Sequence, residues 1–238
     1  MAITYTWQDA LNVAKPSYRT STDQSALTFA LNMAVSECWL GWDWRDSIAN
    51  LPPFWLVPGV QDYGSPFVSV PTNFYGLREV YLVCLNVTPV PSSTPIKVVS
   101  NLEQTGAYGL PNTICYRSAA QAFRIHPAAG LSCACPQYLI NGTYKIQPPK
   151  IARDGVASLI LWDDIYFETF VQFLVWANLF CSGDRKAAIE QKAIAKQTLF
   201  EAAQHADLED GDPVVSPTEG LTLFNSGGPY YGGGFLGY

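Results

Sequence analysis

The sequence predicts an α+β protein. N-terminal helices and a C-terminal helical hairpin form a helical bundle, which carries a β-rich inserted domain and ends in an extended arm. Three observations predict this. Apolar side chains keep the three-four spacing of helices through two long arms between Asp163 and Ala206. From Leu51 to about Ala157 the texture changes to short β-branched and aromatic runs broken by Pro, Gly, Asn and Ser. Beyond Ala206, acid, Pro and Gly replace any helical period. The divisions that follow are N-terminal helices over 1–50, a β-rich domain over 51–157, the hairpin over 158–208 and the arm over 209–238.

In chain order, Thr6-Trp-Gln-Asp9 has the form of a capping box, and Trp7, Ala10, Leu11 and Ala14 give a short apolar face that Pro16 ends. Ser21-Thr-Asp-Gln24 opens a second helix striped by Leu27, Leu31, Ala34, Val35, Cys38 and Trp42. Its tail carries Trp39, Trp42 and Trp44, which at this spacing suit core or subunit contacts better than a sugar-binding platform. In the β region, strands are expected at 54–57, 67–70, 76–84, 97–99, 114–116, 122–126, 137–139, 144–147 and 158–161. The run after Phe123 reads as a strand partnered by the one that starts at Tyr144 and stops before Pro148-Pro149.

The hairpin's first arm, from Asp163 to Ser182, is apolar almost all round: Tyr166, Phe173 and Trp176 fall outside the stripe of Phe167, Phe170, Val171, Leu174, Ala177 and Cys181. Asp163-Asp164 suit a helix start. At the corner, Gly183 can end one helix in the left-handed conformation and Asp184 can cap the next. The second arm, 185–206, is rich in helix formers, and its small Ala188, Ala195, Ala202, Ala203 and Ala206 allow close helix approach. The final residues, Asn225 to Tyr238, form a Gly-aromatic arm in which Tyr230, Tyr231, Phe235 and Tyr238 are candidate partner-binding anchors.

Composition narrows the function. Charged residues make up 14% of the chain and aromatics 13%, a balance that favours surface buried against other chains. A net charge of −6 argues against a nucleic-acid docking surface. Asp163, Asp164, Glu168 and Gln172 interrupt the one long apolar helix, so no membrane span is expected. The N-terminal residues have no signal-peptide pattern, which predicts cytosolic synthesis and six free, buried cysteine thiols. The two histidines, His126 and His205, are far apart, and Cys133-Ala-Cys135 lacks zinc-knuckle spacing. Asp207, Glu209, Asp210 and Asp212 read as a solvated helix exit. Neither a P-loop nor a nucleophile elbow is present. The expectation is a non-enzymatic protein with no catalytic residues, no metal and no cofactor.

The segment Leu159-Ile-Leu-Trp-Asp-Asp164, the corner Leu179-Phe-Cys-Ser-Gly-Asp184 and the Ala-rich helix after it resemble the head-to-tail adaptor proteins of tailed bacteriophages, particularly those of short-tailed phages. The resemblance implies a structural virion protein, made in the host cytoplasm and placed at the head–tail interface. It would form a homo-oligomeric ring, usually of twelve copies, beneath the portal protein. That ring would meet a tail nozzle or tube and let DNA pass through its lumen without sequence-specific binding. An acidic lumen suits that passage, since it repels the duplex. The alternative from a different class is a carbohydrate- or receptor-binding virion module, which needs exposed, coplanar aromatics.

Overall fold

A computed structural model describes residues 5–17, 24–44, 47–85, 92–103, 106–130, 138–151 and 164–210. These fall into two compact units: one made of residues 47–147, the other of the described residues before 47 and from 148 onward.

The second of these units is helical. Helix α1 (Trp7–Ala14) starts on a capping box in which the Thr6 hydroxyl accepts from the Asp9 amide and the Asp9 carboxylate accepts from the Thr6 amide. The Thr6 hydroxyl also donates to the Asp9 carboxylate, at 2.6 Å, and together with the Thr6 amide it holds the Asp9 carboxyl below its ordinary range. Helix α2 (Gln24–Leu40) buries Ala30, Leu31, Ala34, Val35, Cys38 and Trp39. Helix α3 (Asp164–Cys181) is buried on nearly every side because the other helices surround it, and Phe170, Phe173, Leu174, Trp176 and Ala177 all lie in one core with Ala10, Leu11, Ala34 and Cys38. Helix α4 (Arg185–Asp210) sets Ala188, Ala195, Ala202 and Ala203 into the core. Polar bonds align the pieces: Gln191 donates to Gln172 across α3 and α4 at 2.7 Å, and Lys192 reaches Glu37 of α2 at 3.0 Å while lying over the Trp176 ring. Asn32 clamps the returning chain by bonding both the carbonyl and the amide of Ile151.

The other unit holds ten strands: β1 (Ile48–Asn50), β2 (Phe54–Trp55), β3 (Asp62–Tyr63), β4 (Phe74–Cys84), β5 (Ser92–Val98), β6 (Tyr108–Gly109), β7 (Thr113–Arg117), β8 (Ala122–His126), β9 (Ala128–Ala129) and β10 (Tyr138–Ile146). Eight of them build one curled mixed sheet in the order β1-β10-β4-β5-β7-β8-β3, with β2 also on β10. Only β5 and β7 run parallel within it, and β6 and β9 make a separate parallel pair. One face of the sheet closes over an aromatic core of Phe54, Tyr63, Phe74, Phe123 and Tyr144. The Tyr63 hydroxyl ties off the Val57–Val60 turn by accepting from the Val57 amide and donating to backbone carbonyls. Burial there raises its pKa.

This architecture overturns the expected helical bundle with an inserted β domain. Ten strands stand against four α-helices among the described residues, and the dominant element is the curled eight-stranded sheet with its own core. The physical reason is pairing over long sequence distances, which local spacing does not report. Two expected strands, at 137–139 and 144–147, fuse into β10, which pairs with β4, β1 and β2. The expected partnership between the strand after Phe123 and the one at Tyr144 is absent: β8 pairs with β7 and β3 instead. Phe67–Val70 forms a turn and irregular chain, while β1, β3, β6 and β9 arise where no strand is expected. The expected strand at 158–161 lies outside the described residues.

The expectation of six free, buried thiols is also corrected. Cys38 and Cys115 are free and buried, but Cys181 is exposed and Cys84 is disulfide-bonded to a partner outside the described residues. The β4–β10 register sets Cys84 opposite Tyr138, joining parts of the chain that are remote in sequence.

Candidate interaction face

Strand register decides which side chains stand together on the sheet, because residues directly opposite in paired strands point to the same face. Across the face away from the aromatic core, Trp55 of β2 stands opposite Leu139 of β10, Leu139 opposite Val83 of β4, and Val83 opposite Ser93 of β5. Four strands at the usual spacing make this row roughly 14 Å wide. In the next row, Tyr81 stands between Asn141 and Pro95. None of these seven residues is charged, and Trp55 keeps 51% of its surface exposed. Glu79, two residues along β4, accepts the Tyr81 hydroxyl at 3.0 Å and raises that phenol's pKa.

Gly142 makes the crossing of β10 and β4 possible. Its backbone runs so close to the Glu79 carbonyl that a Cβ there would overlap it, and the register shifts at this point. The extra residue lies in β4: Val80 pairs with Gly142 and Leu77 with Tyr144, so both are buried although three residues apart, while β10 alternates without a break from Tyr138 to Tyr144.

A second row is polar and structural. Asp62 of β3 lies opposite Arg124 of β8, and Arg124 lies opposite Cys115 of β7. The buried Arg124 guanidinium, 6% exposed, donates twice to the Asp62 carboxylate, at 2.6 Å each, and once to the Leu102 carbonyl. Arg117 approaches the same carboxylate at 3.6 Å. The hydrogen bond from Arg124 holds the Asp62 carboxyl below its ordinary range, against the opposing effect of partial burial. Burial pushes the Cys115 thiol up, which makes it a poor nucleophile.

The residues singled out in the sequence are distributed as follows. Gly183 sits in the left-handed region at φ +86, and the amides of Gly183 and Asp184 bond back to Phe180 and Leu179, a Schellman closure of α3. The Asp184 carboxylate then accepts from the Ala187 amide and caps α4. Trp39 and Trp44 are buried in the helical unit, and the Trp44 indole N–H donates to the Cys38 carbonyl at 2.9 Å. Trp44 belongs to the helical core, and the half-buried Trp42 packs against it. His126 ends β8 and His205 is exposed on α4. Helix α4 runs on through Asp207, Glu209 and Asp210, whereas Asp212, Cys133, Cys135, Asp163 and the arm residues Tyr230, Tyr231, Phe235 and Tyr238 lie outside the described residues.

Among the described residues no group of three or more His, Cys, Asp and Glu is placed to hold a metal ion, and no helix is long and apolar enough to cross a membrane. The sequence matches no protein-family model and no curated protein. The apolar row itself was hidden in the sequence: Trp55, Val83 and Leu139 are remote from one another, and only their register joins them. The alternation Tyr81-Leu-Val-Cys84 was the available signal that one strand has two usable faces.

Proposed function

We propose that the protein is a structural head-to-tail adaptor subunit of a tailed-phage virion. It would assemble as a ring beneath the portal, join the capsid to the tail nozzle or tube, and let DNA pass through the lumen. The observation that carries this reading is the pair of uncharged rows on the outer face of the sheet, where half-exposed Trp55 lies beside the part-buried Leu139, Val83 and Tyr81. Covering Trp55 would contribute about 1 to 2 kcal/mol to association, and the part-buried Leu139 and Val83 less. The net charge of −6 and the sequence resemblance around the Gly183-Asp184 corner support the same conclusion.

A second reading, a carbohydrate- or receptor-binding virion module, draws on the same face, where Trp55 and Tyr81 offer aromatic surface beside the Asn141 amide. Trp39 and Trp44, buried as they are, cannot serve it.

The mass of the purified protein, alone and mixed with portal, separates the two. A ring of many copies, alone or on the portal, supports the adaptor. A monomer or trimer that ignores the portal and binds glycan overturns it.

A further inference from the structure

We propose that residues 100–103 form a releasable strap over the outer face of β7 and β8, and that the Asp62–Arg124 fork decides whether the strap lies over Cys115 or lifts. The inference goes beyond the assembly reading and does not rest on it.

Strand register sets Asp62, Arg124 and Cys115 in one row across β3, β8 and β7. Their neighbours Tyr63, Ile114, Phe123 and Ile125 point into the aromatic core, so by alternation this row faces away from it. Arg124 and Cys115 are nevertheless buried. Leu102 lies over both: its carbonyl accepts from Arg124 Nη1 at 3.3 Å, and its backbone also bonds the Cys115 sulfur.

That hold is narrow. The chain is tied to the sheet as far as Val99, whose amide donates to the Ile114 carbonyl. Past it Ser100, Asn101 and Glu103 are exposed, and none of the three makes a hydrogen bond or ion pair among the described residues. The half-buried Leu102 is their point of attachment. A segment held by so few contacts opens at small cost while the sheet beneath it stays closed.

Asp62 sets the attachment. Its two oxygens accept from Arg124 Nε and Nη2 at 2.6 Å each, which fixes the guanidinium plane and aims Nη1 at Leu102. Without the carboxylate, the buried guanidinium loses both its charge partner and its orientation. Water then has to solvate it, and lifting the strap admits water and uncovers the thiol. The other charged or titratable groups on this face are Arg117 of β7, 3.6 Å from Asp62, His126 two residues along β8, Lys97 of β5 and Glu103 of the strap. Glu103, the other acid among them, is exposed and unpaired, so it does not stand in for Asp62.

The test alkylates the full chain with iodoacetamide at neutral pH and reads the Cys115 adduct by peptide mass. Asp62→Asn should speed Cys115 alkylation about tenfold, with a rate that barely changes on adding low concentrations of urea. Leu102→Gly, which leaves the fork intact, should also speed it without urea dependence. A rate that climbs with urea as steeply as β4 and β10 lose amide protection would mean that Cys115 is reached only by unfolding, and would overturn the proposal. So would a Leu102→Gly variant as slow as the natural protein. If Asp62→Asn does not fold, acid replaces it. The folded Asp62 carboxyl titrates below its ordinary value, so the fork holds at neutral pH and opens as pH falls through the folded value. Labelling of the natural protein with 4,4′-dithiodipyridine, measured against exposed Cys181, should quicken there. A rise in the ordinary histidine range instead would give control to His126 and overturn the assignment to Asp62.

Discussion

The helical unit and the β unit solve the same burial problem with different means. In the helical unit, α3 lies among three other helices, small Ala side chains let α4 approach, and polar bonds such as Gln191–Gln172 and Lys192–Glu37 sit at the margins. Its core is apolar, and its ends are closed by caps a few residues away in sequence. The β unit relies on partners far apart in the chain: β4 meets β10, and the buried Arg124 meets the partly exposed Asp62. Locally closed helices tolerate change at one end without losing the rest. A sheet built on distant pairings fails together when one crossing is blocked, and it is also the unit that sets side chains remote in sequence into one row.

Three substitutions test that contrast, with hydrogen exchange reading each unit separately. The largest effect belongs to Gly142→Ala, which drives a methyl into the Glu79 carbonyl at the β4–β10 crossing. It should cost about 3 kcal/mol, with protection lost across the β unit and kept in α3 and α4. Equal loss in both units would show that they do not differ in this way.

Asp62→Asn comes next. Removing the carboxylate leaves the Arg124 guanidinium buried without its charge partner. Asp62 is 39% exposed, so the cost falls below that of a fully buried pair, at about 2 kcal/mol. The pH dependence has a definite sign. The folded Asp62 carboxyl titrates below its unfolded value. Its stabilisation is therefore complete above the unfolded pKa of about 4 and is lost as pH falls through the folded one. Acid titration of stability should show this loss in the natural protein and lack it in the variant. An unchanged acid profile would rule out the pair as its source.

Gly183→Ala should have the smallest effect, about 1 kcal/mol, because the left-handed residue closing α3 would then carry a Cβ. Nothing lies close enough to that position to clash. Exchange should quicken at the ends of α3 and α4 alone. Spread into the β unit would break the comparison.

Local chemistry was readable before the fold. Thr6 and Asp9, and Gly183 and Asp184, carry out in three dimensions what their residue types favour, because a cap is completed within three or four residues. The aromatic girth of α3 was equally plain, since Tyr166, Phe173 and Trp176, outside its apolar stripe, are buried as well. The β strands were found in part and paired wrongly. Short alternating runs mark a strand but do not name its neighbour. The weight given to the helices in turn hid the sheet as the larger architectural element.

The sequence by itself determined where helices start, which helix lies inside, and that residues 225–238 carry glycine and aromatics but no charged side chain, while α4 runs four residues past its expected end at Ala206. Each of these depends on residues adjacent in the chain or on composition. Tertiary structure alone decided the order of the sheet, the disulfide at Cys84, the burial of Trp39 and Trp44, the Asp62–Arg124 pair and the row of Trp55, Leu139 and Val83. The features of the sheet depend on register, and a shift of one residue in a strand would turn its side chains to the opposite face.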